Sequence, residues 1–445
     1  MTVRHHQRLA YLLAVALTLL VPRGVSADPQ WTLPEPGDCG AARPVNGSAD
    51  PAGSGVPFEA GDVFGFDRLS ALEPYLPPEV WQRRDHFFFE GMRLEVGPCF
   101  RSYAPPGFFR EATQTFAGRA RALESGGLEG VAAGLPFEPA SIDAGDPQAG
   151  QMWAWNVARR YRGAGSFGDL RLTYAQRGEA TVQLVGSYFV AFLTNRADLA
   201  AADYRVPWAG KQRWASGGRT RDPSSGAYCA FRHYRDPRAE RTPDLIDDLF
   251  FYSTGSRKPE RVGWNPEFPM LVCAYERGFY LARGGRIERY RWRVATVRDL
   301  LAPINARTPA YPEAENRSFG AFGASLASDR WELRRVLVLE APLGPGQSVR
   351  RYVDLETLFP LYHVEGADGG PVIFQYAGRW SEDRPDYPRW PETPERALRI
   401  IDPVARVYVG GSEVVRIEAW NTVAVPPEGK SLRRMVSESS LARRR

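Results

Sequence analysis

Alternation between apolar and polar positions dominates the later part of the chain. Residues 170–174 alternate cleanly, and residues 180–194 form a longer run that is apolar on both faces near its end. Further strand-like segments, several of them separated by glycine-containing turns, lie at 227–234, 270–276, 286–292, 331–340, 349–356, 361–364, 372–376 and 406–419. A period of two is typical of strands, and short turns between strands favour antiparallel pairing. We therefore predict an antiparallel meander in the C-terminal half.

Helical signals are fewer and lie mostly before the strands. Residues 113–134 are predicted to form a helix that ends at glycines. A second helix is predicted from Asp146 to about Gly163, because an aspartate N-cap followed by Pro147 is a favourable start. The segment 296–299 resembles a capping box and predicts a third, short helix.

The N-terminus is typical of a signal peptide. Arg4 and Arg8 precede an apolar stretch at 9–22, which is too short to span a bilayer comfortably. Small residues then lead to Ala27, so we expect cleavage after this residue. Residues 1–27 are therefore expected to be removed on export, leaving a soluble protein in the periplasm.

The mature chain is predicted to hold one large domain between two irregular ends. Residues 28–64 are rich in Pro, Gly, Ala and Asp and are expected to form an irregular N-terminal arm. Residues 65–425 form the domain, with inserted loops at 200–270 and 377–396. Residues 426–445 form a basic C-terminal tail that we expect to fray.

The charge balance argues against a nucleic-acid partner. The formal net charge of +5 falls to +2 once the three arginines of the leader are removed, and the one basic run is 443–445. Nucleic-acid binding needs a concentrated basic face, which the sequence lacks. Only three of the 57 basic residues are lysine, and a GC-rich coding bias explains this excess of arginine.

The four cysteines are dispersed and form no CxxC pair. This argues against a structural zinc site and suits disulfides in an oxidising compartment. Nearest-neighbour pairing joins Cys39 to Cys99 and Cys229 to Cys273, although four cysteines allow three connectivities. Closing loops of roughly 60 and 45 residues would contribute roughly 4 kcal/mol each in the chain-entropy model.

No catalytic or cofactor motif stands in its required context. The GxGxxG match at 163–168 follows a predicted helix and precedes a strand, the reverse of a dinucleotide site, so we interpret it as a loop. A serine elbow at Ser325 lacks its last glycine. The carboxylate pairs Asp247-Asp248 and Glu382-Asp383 are adjacent in the sequence, so the two side chains of a pair need not face each other. Three histidines remain after cleavage, too few for most zinc enzymes. We therefore expect no cofactor, no metal and no enzymatic activity.

Aromatic residues make up 12% of the chain, and many stand in strand and loop segments. Aromatic side chains fill cores, but they also line cavities for large apolar ligands. The candidate cavity-lining residues are Trp153, Trp155, Tyr188, Phe192, Trp331, Tyr362 and Trp380. For each of them, packing into the core is the alternative and stays open.

Several segments, in a fixed order, resemble one known family. They are Gly134 to Phe137, Asp146 to Gly150, Trp153 to Asn156, Arg160 to Gly163, Arg334 to Val336, Arg351 to Asp354 and Pro360 to Tyr362. Over roughly residues 65–425 the chain resembles the exported domain-of-unknown-function 1329 family of Gram-negative bacteria. That family is similar to LolA/LolB-type periplasmic carriers. The resemblance implies a mainly β (α+β) fold, a large antiparallel, half-open β-barrel whose helices cover an apolar concavity.

The resemblance also implies a function without chemistry. A periplasmic carrier or chaperone would bind a lipid or lipid-like molecule in the aromatic-lined half-barrel, beside an inner-membrane exporter and an outer-membrane protein. The family has no established catalytic residues, so none is carried over. Two alternatives stay open. One is an envelope adaptor with a solid interior; the other, ranked last, is a lipid or glycan hydrolase that uses Ser325 or Asp247.

Overall fold

The computed structural model describes most of the chain after residue 30. It covers residues 31–45, 56–176, 179–199, 204–209, 212–242, 244–245, 247–262, 285–304, 330–366, 370–380, 399–423 and 429–442. The predicted signal peptide, the strand at 270–276, Cys273 and Ser325 lie outside these ranges, so what the sequence predicts for them stays a prediction.

The described residues form many strands and few helices. The α-helices are α1 (Pro78–Trp81), α2 (Arg84–Phe87), α3 (Gly107–Thr115), α4 (Ala149–Arg159) and α5 (Gly429–Val436). Short 3-10 helices occupy Cys39–Ala41, Phe66–Tyr75, Pro139–Ser141, Pro237–Glu240, Ile287–Arg289 and Glu438–Ser440. The strands are β1 (Val63–Phe64), β2 (Leu94–Val96), β3 (Arg121–Ala122), β4 (Leu128–Glu129), β5 (Gly165–Gln176), β6 (Glu179–Phe192), β7 (Trp214–Arg221), β8 (Tyr228–Arg235), β9 (Asp248–Ser253), β10 (Glu260–Val262), β11 (Arg293–Ala302), β12 (Arg330–Gly344), β13 (Gln347–Asp354), β14 (Pro360–Gly366), β15 (Val372–Trp380), β16 (Arg399–Gly410) and β17 (Glu413–Val423).

Fifteen of these strands form one sheet. Its order is β1-β2-β12-β13-β14-β15-β16-β17-β5-β6-β7-β8-β9-β10, and β11 also pairs with β12. The pairs between described strands are antiparallel, apart from the short parallel pair of β2 with β12. Among the described strands the path does not return to its start, so the sheet stays open. The predicted mainly β, antiparallel and half-open architecture is confirmed.

The sheet curls around α4. Seven strand spacings separate β12 from β6, which is roughly 34 Å in a flat sheet at about 4.8 Å per spacing. Helix α4 has 11 residues and is therefore only about 16 Å long. It nevertheless packs against Leu339 of β12 and, at its far end, lies beside Phe192 of β6. A flat sheet cannot place both strands against one short helix, so the strands wrap around it.

The sheet has two distinct faces because side chains alternate along each strand and paired residues share a face. One row runs across Ile373, Tyr408, Val415 and Tyr174, on the side that α4 occupies. We call this side the aromatic face; it continues through the following residues of β5 to β8: Leu172, Leu184, Tyr188, Val190, Phe192, Trp214 and Phe231.

The opposite side, which we call the outer face, is covered by the two ends of the described chain. The N-terminal segment packs Phe58, Leu72 and Val80 against Tyr352 and Tyr362 in one buried cluster. At the other end of the sheet, α5 packs Leu432 and Val436 against the outer face of β6 and β7. The expectation of a frayed C-terminal tail is therefore wrong for residues 429–442, because this segment buries apolar side chains.

Helix α4 is buried nearly all round. Its Trp153, Ala154 and Val157 have no exposed surface, and Trp155 is 1% exposed. The predicted N-cap is shifted slightly: Asp146 Oδ1 accepts the N–H of Gln148 at 2.7 Å, and the helix begins at Ala149. The helix at this place was predicted, whereas its complete burial follows from the strands that wrap around it.

Two helix predictions are wrong, because a local signal was outweighed by strand pairing or by glycine. The capping-box-like segment 296–299 lies inside β11, which pairs with β12 from Arg293 to Ala302. The helix predicted over 113–134 ends at Thr115, and Gly118, Gly126 and Gly130 then adopt positive φ angles that a helix does not allow. The hairpin β3–β4 occupies part of that segment instead.

Three further boundaries differ from the prediction. The segment predicted as a strand at 286–292 contains the 3-10 helix Ile287–Arg289. The run 406–419 is two strands, β16 and β17, joined at Gly411, whose φ of +60° suits a tight turn. The GxGxxG segment is not a loop throughout, because β5 begins at Gly165.

The predicted Cys39–Cys99 disulfide is confirmed and fastens the N-terminal arm to the domain. The arm is also held by Arg335, whose Nη1 donates to the carbonyl of Thr32 at 2.9 Å. Cys229 is disulfide-bonded too, while Cys273 lies outside the described residues, so the Cys229–Cys273 pairing stays a prediction.

We expect the double variant Cys39→Ser/Cys99→Ser to lose about 2–5 kcal/mol of unfolding free energy. The bond joins residues 60 positions apart, so its removal releases a long loop in the unfolded chain. Amide hydrogen exchange measured by mass spectrometry should accelerate in residues 31–45. Peptides from the β5–β6 hairpin serve as the internal control; equal acceleration there would contradict a local role for the bond.

Candidate ligand-binding face and arginine pocket

The structure separates the predicted cavity residues into three groups. Trp155 and Phe192 line the same small pocket, and the half-buried Tyr188 lies on the aromatic face. Trp153 packs its ring 5.2 Å from that of Trp31 in the core beneath α4. The remaining candidates lie elsewhere: Trp331 and Tyr362 are in the buried cluster with the N-terminal segment, and Trp380 is in β15, where only the backbone is described.

Half-buried aromatic rings characterise the aromatic face. Tyr174, Tyr188 and Tyr408 are neither fully buried nor fully exposed. Glycine makes room for one of the rings: a side chain at Gly218 would meet Cε1 of Phe231 at 2.7 Å, so that ring lies over the glycine. An aromatic surface of this kind can accept an apolar chain without exposing polar backbone groups, because the sheet has already paired them.

The arginine pocket lies where the C-terminal end of α4 meets β6 and β7. Its walls are Trp155, Ala158, Arg162, Val190, Phe192, Arg213, Trp214, Ser216, Arg235 and Glu240. Its volume is about 40 Å³. A second pocket of about 40 Å³ adjoins it and shares Ala158, Arg162, Phe192 and Arg213. Arginine and aromatic side chains thus form one cationic, partly apolar recess.

One buried carboxylate holds the pocket together. Glu240 pairs through Oε2 with Arg159 at the end of α4, and through Oε1 with Arg213 Nη1 at 3.0 Å. Arg213 also donates from Nη2 to the carbonyl of Ala158 at 3.4 Å. Helix α4, the segment before β7 and the 3-10 helix Pro237–Glu240 are therefore joined by a single carboxylate.

The neighbouring arginine is neutralised by other acids. Arg235 Nη1 lies 2.9 Å from Asp247 Oδ1, and its Nη2 lies 3.0 Å from Glu288 Oε2. His233 Nε2 lies 2.8 Å from Asp247 Oδ2. Asp247, an acid that the sequence left open for catalysis, is thus 2% exposed and engaged in a structural ion network.

The surroundings lower the pKa of both Glu240 and Arg213. Burial alone would raise the pKa of the Glu240 carboxyl, but the guanidinium groups of Arg159, Arg213 and Arg235 outweigh burial and hold it below its usual value. Burial lowers the pKa of the Arg213 guanidinium, and the nearby Arg159 lowers it further. Positive charge is therefore in excess around this recess.

Sequence reasoning missed these arginines as site residues. Their number was explained by coding bias, and their positions at 159, 162 and 213 follow no recognisable motif. The sequence named Trp155 and Phe192 as cavity candidates, and both side chains line this recess. Among the described residues, no group of three or more His, Cys, Asp or Glu side chains could hold a metal ion.

The family model described as protein of unknown function, DUF1329, matches residues 87–362. This chain belongs to the DUF1329 family. The matched part of this DUF1329 protein includes α4, β6 and β7, so the arginine pocket lies within it. No curated protein sequence matches the chain. None of the helices in the described ranges has the length and hydrophobicity that a membrane crossing requires.

Solved structures similar to this DUF1329 protein include two distant ones. A putative outer membrane lipoprotein-sorting protein domain from Vibrio parahaemolyticus is 11% identical, with 62% of this chain and 92% of that chain covered and a TM-score of 0.34. A LolA superfamily protein from Nitrosomonas europaea is 12% identical, with 63% and 94% covered and a TM-score of 0.31.

Proposed function

We propose that this DUF1329 protein is an exported carrier that shields the apolar part of a lipid or lipid-like molecule in the periplasm. The observation that carries the proposal is the aromatic face of the curled sheet, with half-buried rings on β5, β6 and β16 beside the helix α4. Moving an acyl chain through water costs about 0.8 kcal/mol per CH₂ that is not buried. A curled apolar face reduces this cost by binding alone.

The carrier would receive and release its ligand at membranes. We propose an inner-membrane exporter as donor and an outer-membrane protein as acceptor, in keeping with the open edges of the sheet. In this scheme Trp155, Tyr188 and Phe192 contact the ligand, whereas the buried Trp153, Trp331 and Tyr362 support the face through the core. No bond is made or broken during transfer.

Mass spectrometry of protein purified from a periplasmic fraction tests the proposal directly. Native and denaturing spectra of the mature chain, residues 28–445, are recorded side by side. We expect an added mass in the native spectrum that disappears on denaturation and extracts into organic solvent. A bare polypeptide mass in both spectra, together with a stoichiometric protein partner recovered from envelope extracts, would favour an envelope adaptor instead.

Substituting one aromatic residue on the ligand-binding side should weaken binding of a neutral hydrophobic probe. We expect Tyr188→Asp to reduce the affinity for N-phenyl-1-naphthylamine by about fivefold or more, because a charge replaces apolar contact area. Val185→Asp is the matched control, because Val185 lies on the same strand but on the outer face and is 38% exposed. Fluorescence titration gives both affinities; equal losses would contradict the assignment of the aromatic face.

A further inference from the structure

We propose that the arginine pocket is a head-group subsite, which binds a phosphate or carboxylate group while the attached apolar chain lies along the aromatic face. The inference rests on the proposed carrier function and narrows its ligand to an anionic amphiphile. It is carried by three observations: the charge balance of the pocket, its size, and its position at one end of the aromatic face.

The charge balance leaves a positive charge at the pocket. Arg159 and Arg213, which are 8% and 7% exposed, share the single carboxylate of Glu240. Two guanidinium groups against one carboxylate leave one positive charge in a poorly solvated place. Among the described residues, nothing accepts a hydrogen bond from the Nε–H of Arg159. Arg213 lines the arginine pocket and the adjoining pocket, whereas Arg159 lines the adjoining pocket, so an anion in this joint recess would offset the excess charge.

Within the described part of the chain, the other charged groups around the pocket do not cancel this excess. Arg235 faces it from β8 and is paired with Asp247 and Glu288. Arg162 follows α4 and lines the pocket, and its guanidinium carbon lies 4.7 Å from the ring centre of Phe192. Arg196 lines the adjoining pocket and is paired with Asp198. Glu288 is also paired with Arg286, so Asp247 and Glu288 together face two arginines.

The pocket has the size of a head group and not of a lipid. A volume of about 40 Å³ holds about three water molecules, since each needs roughly 10–15 Å³ of such space. Drug-sized ligands occupy pockets of roughly 300–1,000 Å³. One phosphate or carboxylate group fits, whereas an acyl chain must lie elsewhere.

The aromatic face offers that place. Phe192 lines the pocket, and along the same face of β6 follow Val190, Tyr188 and Leu184. This row extends over eight residue spacings, or about 26 Å. An acyl chain fills about half of the roughly 30 Å hydrocarbon core of a bilayer, about 15 Å. An acyl chain that extends from the pocket past Phe192 is therefore shorter than the apolar row available to it.

Amphiphiles of one chain length and different head groups test the subsite. Binding of decyl phosphate, decanoate and decyltrimethylammonium is measured by isothermal titration calorimetry below their critical micelle concentrations. We expect the two anions to bind at least about tenfold more tightly than the cation, because only the anions can accept charge-assisted hydrogen bonds from the arginines. Inorganic phosphate is titrated in parallel and is expected to bind at least tenfold more weakly than decyl phosphate.

Two variants locate the effect. Arg162→Gln and Arg213→Gln are expected to weaken decyl phosphate binding about tenfold while decyltrimethylammonium binding stays within about twofold. Arg162 is half-buried, so its variant keeps the test meaningful if the buried Arg213 variant fails to fold. Arg219→Gln is the matched control, because it removes one arginine from the outer face of β7. Circular dichroism confirms that each variant is folded.

The outcomes separate this inference from the carrier function. Equal binding of all three amphiphiles, unchanged in Arg162→Gln, would overturn the head-group subsite and leave the carrier intact. Binding of inorganic phosphate as tight as that of decyl phosphate would show a site for free phosphate and overturn the amphiphile part. If no amphiphile binds at all, the carrier function itself fails.

Discussion

Replacing Trp153 by alanine is expected to lower the unfolding free energy by about 3–5 kcal/mol. The side chain has no exposed surface and packs against Trp31 beneath α4. Its removal leaves a cavity between the helix and the strands that wrap around it, and the curled sheet cannot collapse to fill it. Chemical denaturation followed by tryptophan fluorescence and circular dichroism measures the loss.

Trp81→Ala serves as the control for this prediction. Trp81 ends the short helix α1, is only half-buried and lies under the guanidinium group of Arg84. Trp81→Ala should lower the unfolding free energy clearly less than Trp153→Ala, because less buried apolar area is lost and solvent fills the gap. If the two variants lose similar stability, α4 is not the helix around which the sheet is organised.

The second large effect is expected for Glu240→Gln, which should lower the unfolding free energy by about 3–5 kcal/mol at pH 7. The substitution keeps the shape of the side chain but removes the charge that Arg159 and Arg213 share. Two buried guanidinium groups are then left without a counter-ion. The control is Glu129→Gln, which breaks an ion pair with the exposed Arg121 and should change stability by about 1 kcal/mol or less.

The same carboxylate predicts a pH dependence of stability. The pKa of Glu240 is lower in the folded protein than in the unfolded chain, where it has its ordinary value of 4.5. The unfolded state therefore binds a proton first as the pH falls, so the stabilisation is complete above pH 4.5 and is lost as the pH falls towards the folded pKa. Unfolding free energies of wild type and Glu240→Gln, measured from pH 7 to pH 3, should converge on the acid side. A constant difference over this range would contradict the assignment.

Anion binding would act on the same group of charges. An anion in the arginine pocket adds a second negative charge beside Arg159 and Arg213, so it should stabilise the folded state by mass action. Occupancy and stability are thus coupled at the end of α4. The coupling would make the protein with an occupied pocket more resistant to unfolding than the protein with an empty pocket.

Strand positions were predictable from the sequence because alternation is a local property. The segments that became β12, β13 and β14 were each located within a few residues, and glycines marked the turn before β13 and the turn after β14. The error at β11 has a physical cause. A capping-box pattern is worth about 1 kcal/mol, and nine paired positions with β12 outweigh it.

The Cys39–Cys99 pairing and the place of α4 were likewise within reach of the sequence. Cys39–Cys99 follows from nearest-neighbour pairing, one of three possible connectivities, and the helix needed a polar start and an apolar run. Trp155 and Phe192 were found as candidates because large aromatic rings are rare enough to be singled out. By itself the sequence therefore determined the class of fold and the family.

The arginine pocket was decided by tertiary structure alone. Arg159, Arg213 and Glu240 are separated by up to 81 residues, and they meet only because β6, β7 and β8 return three times past the end of α4. Alternation along β6 places Tyr188 and Val185 on opposite faces of the sheet. The curling of the sheet decides that α4 lies on the side of Tyr188. Contacts between residues far apart in the chain decide which charges share one carboxylate and which side of the sheet is concave. Local sequence patterns do not encode such contacts.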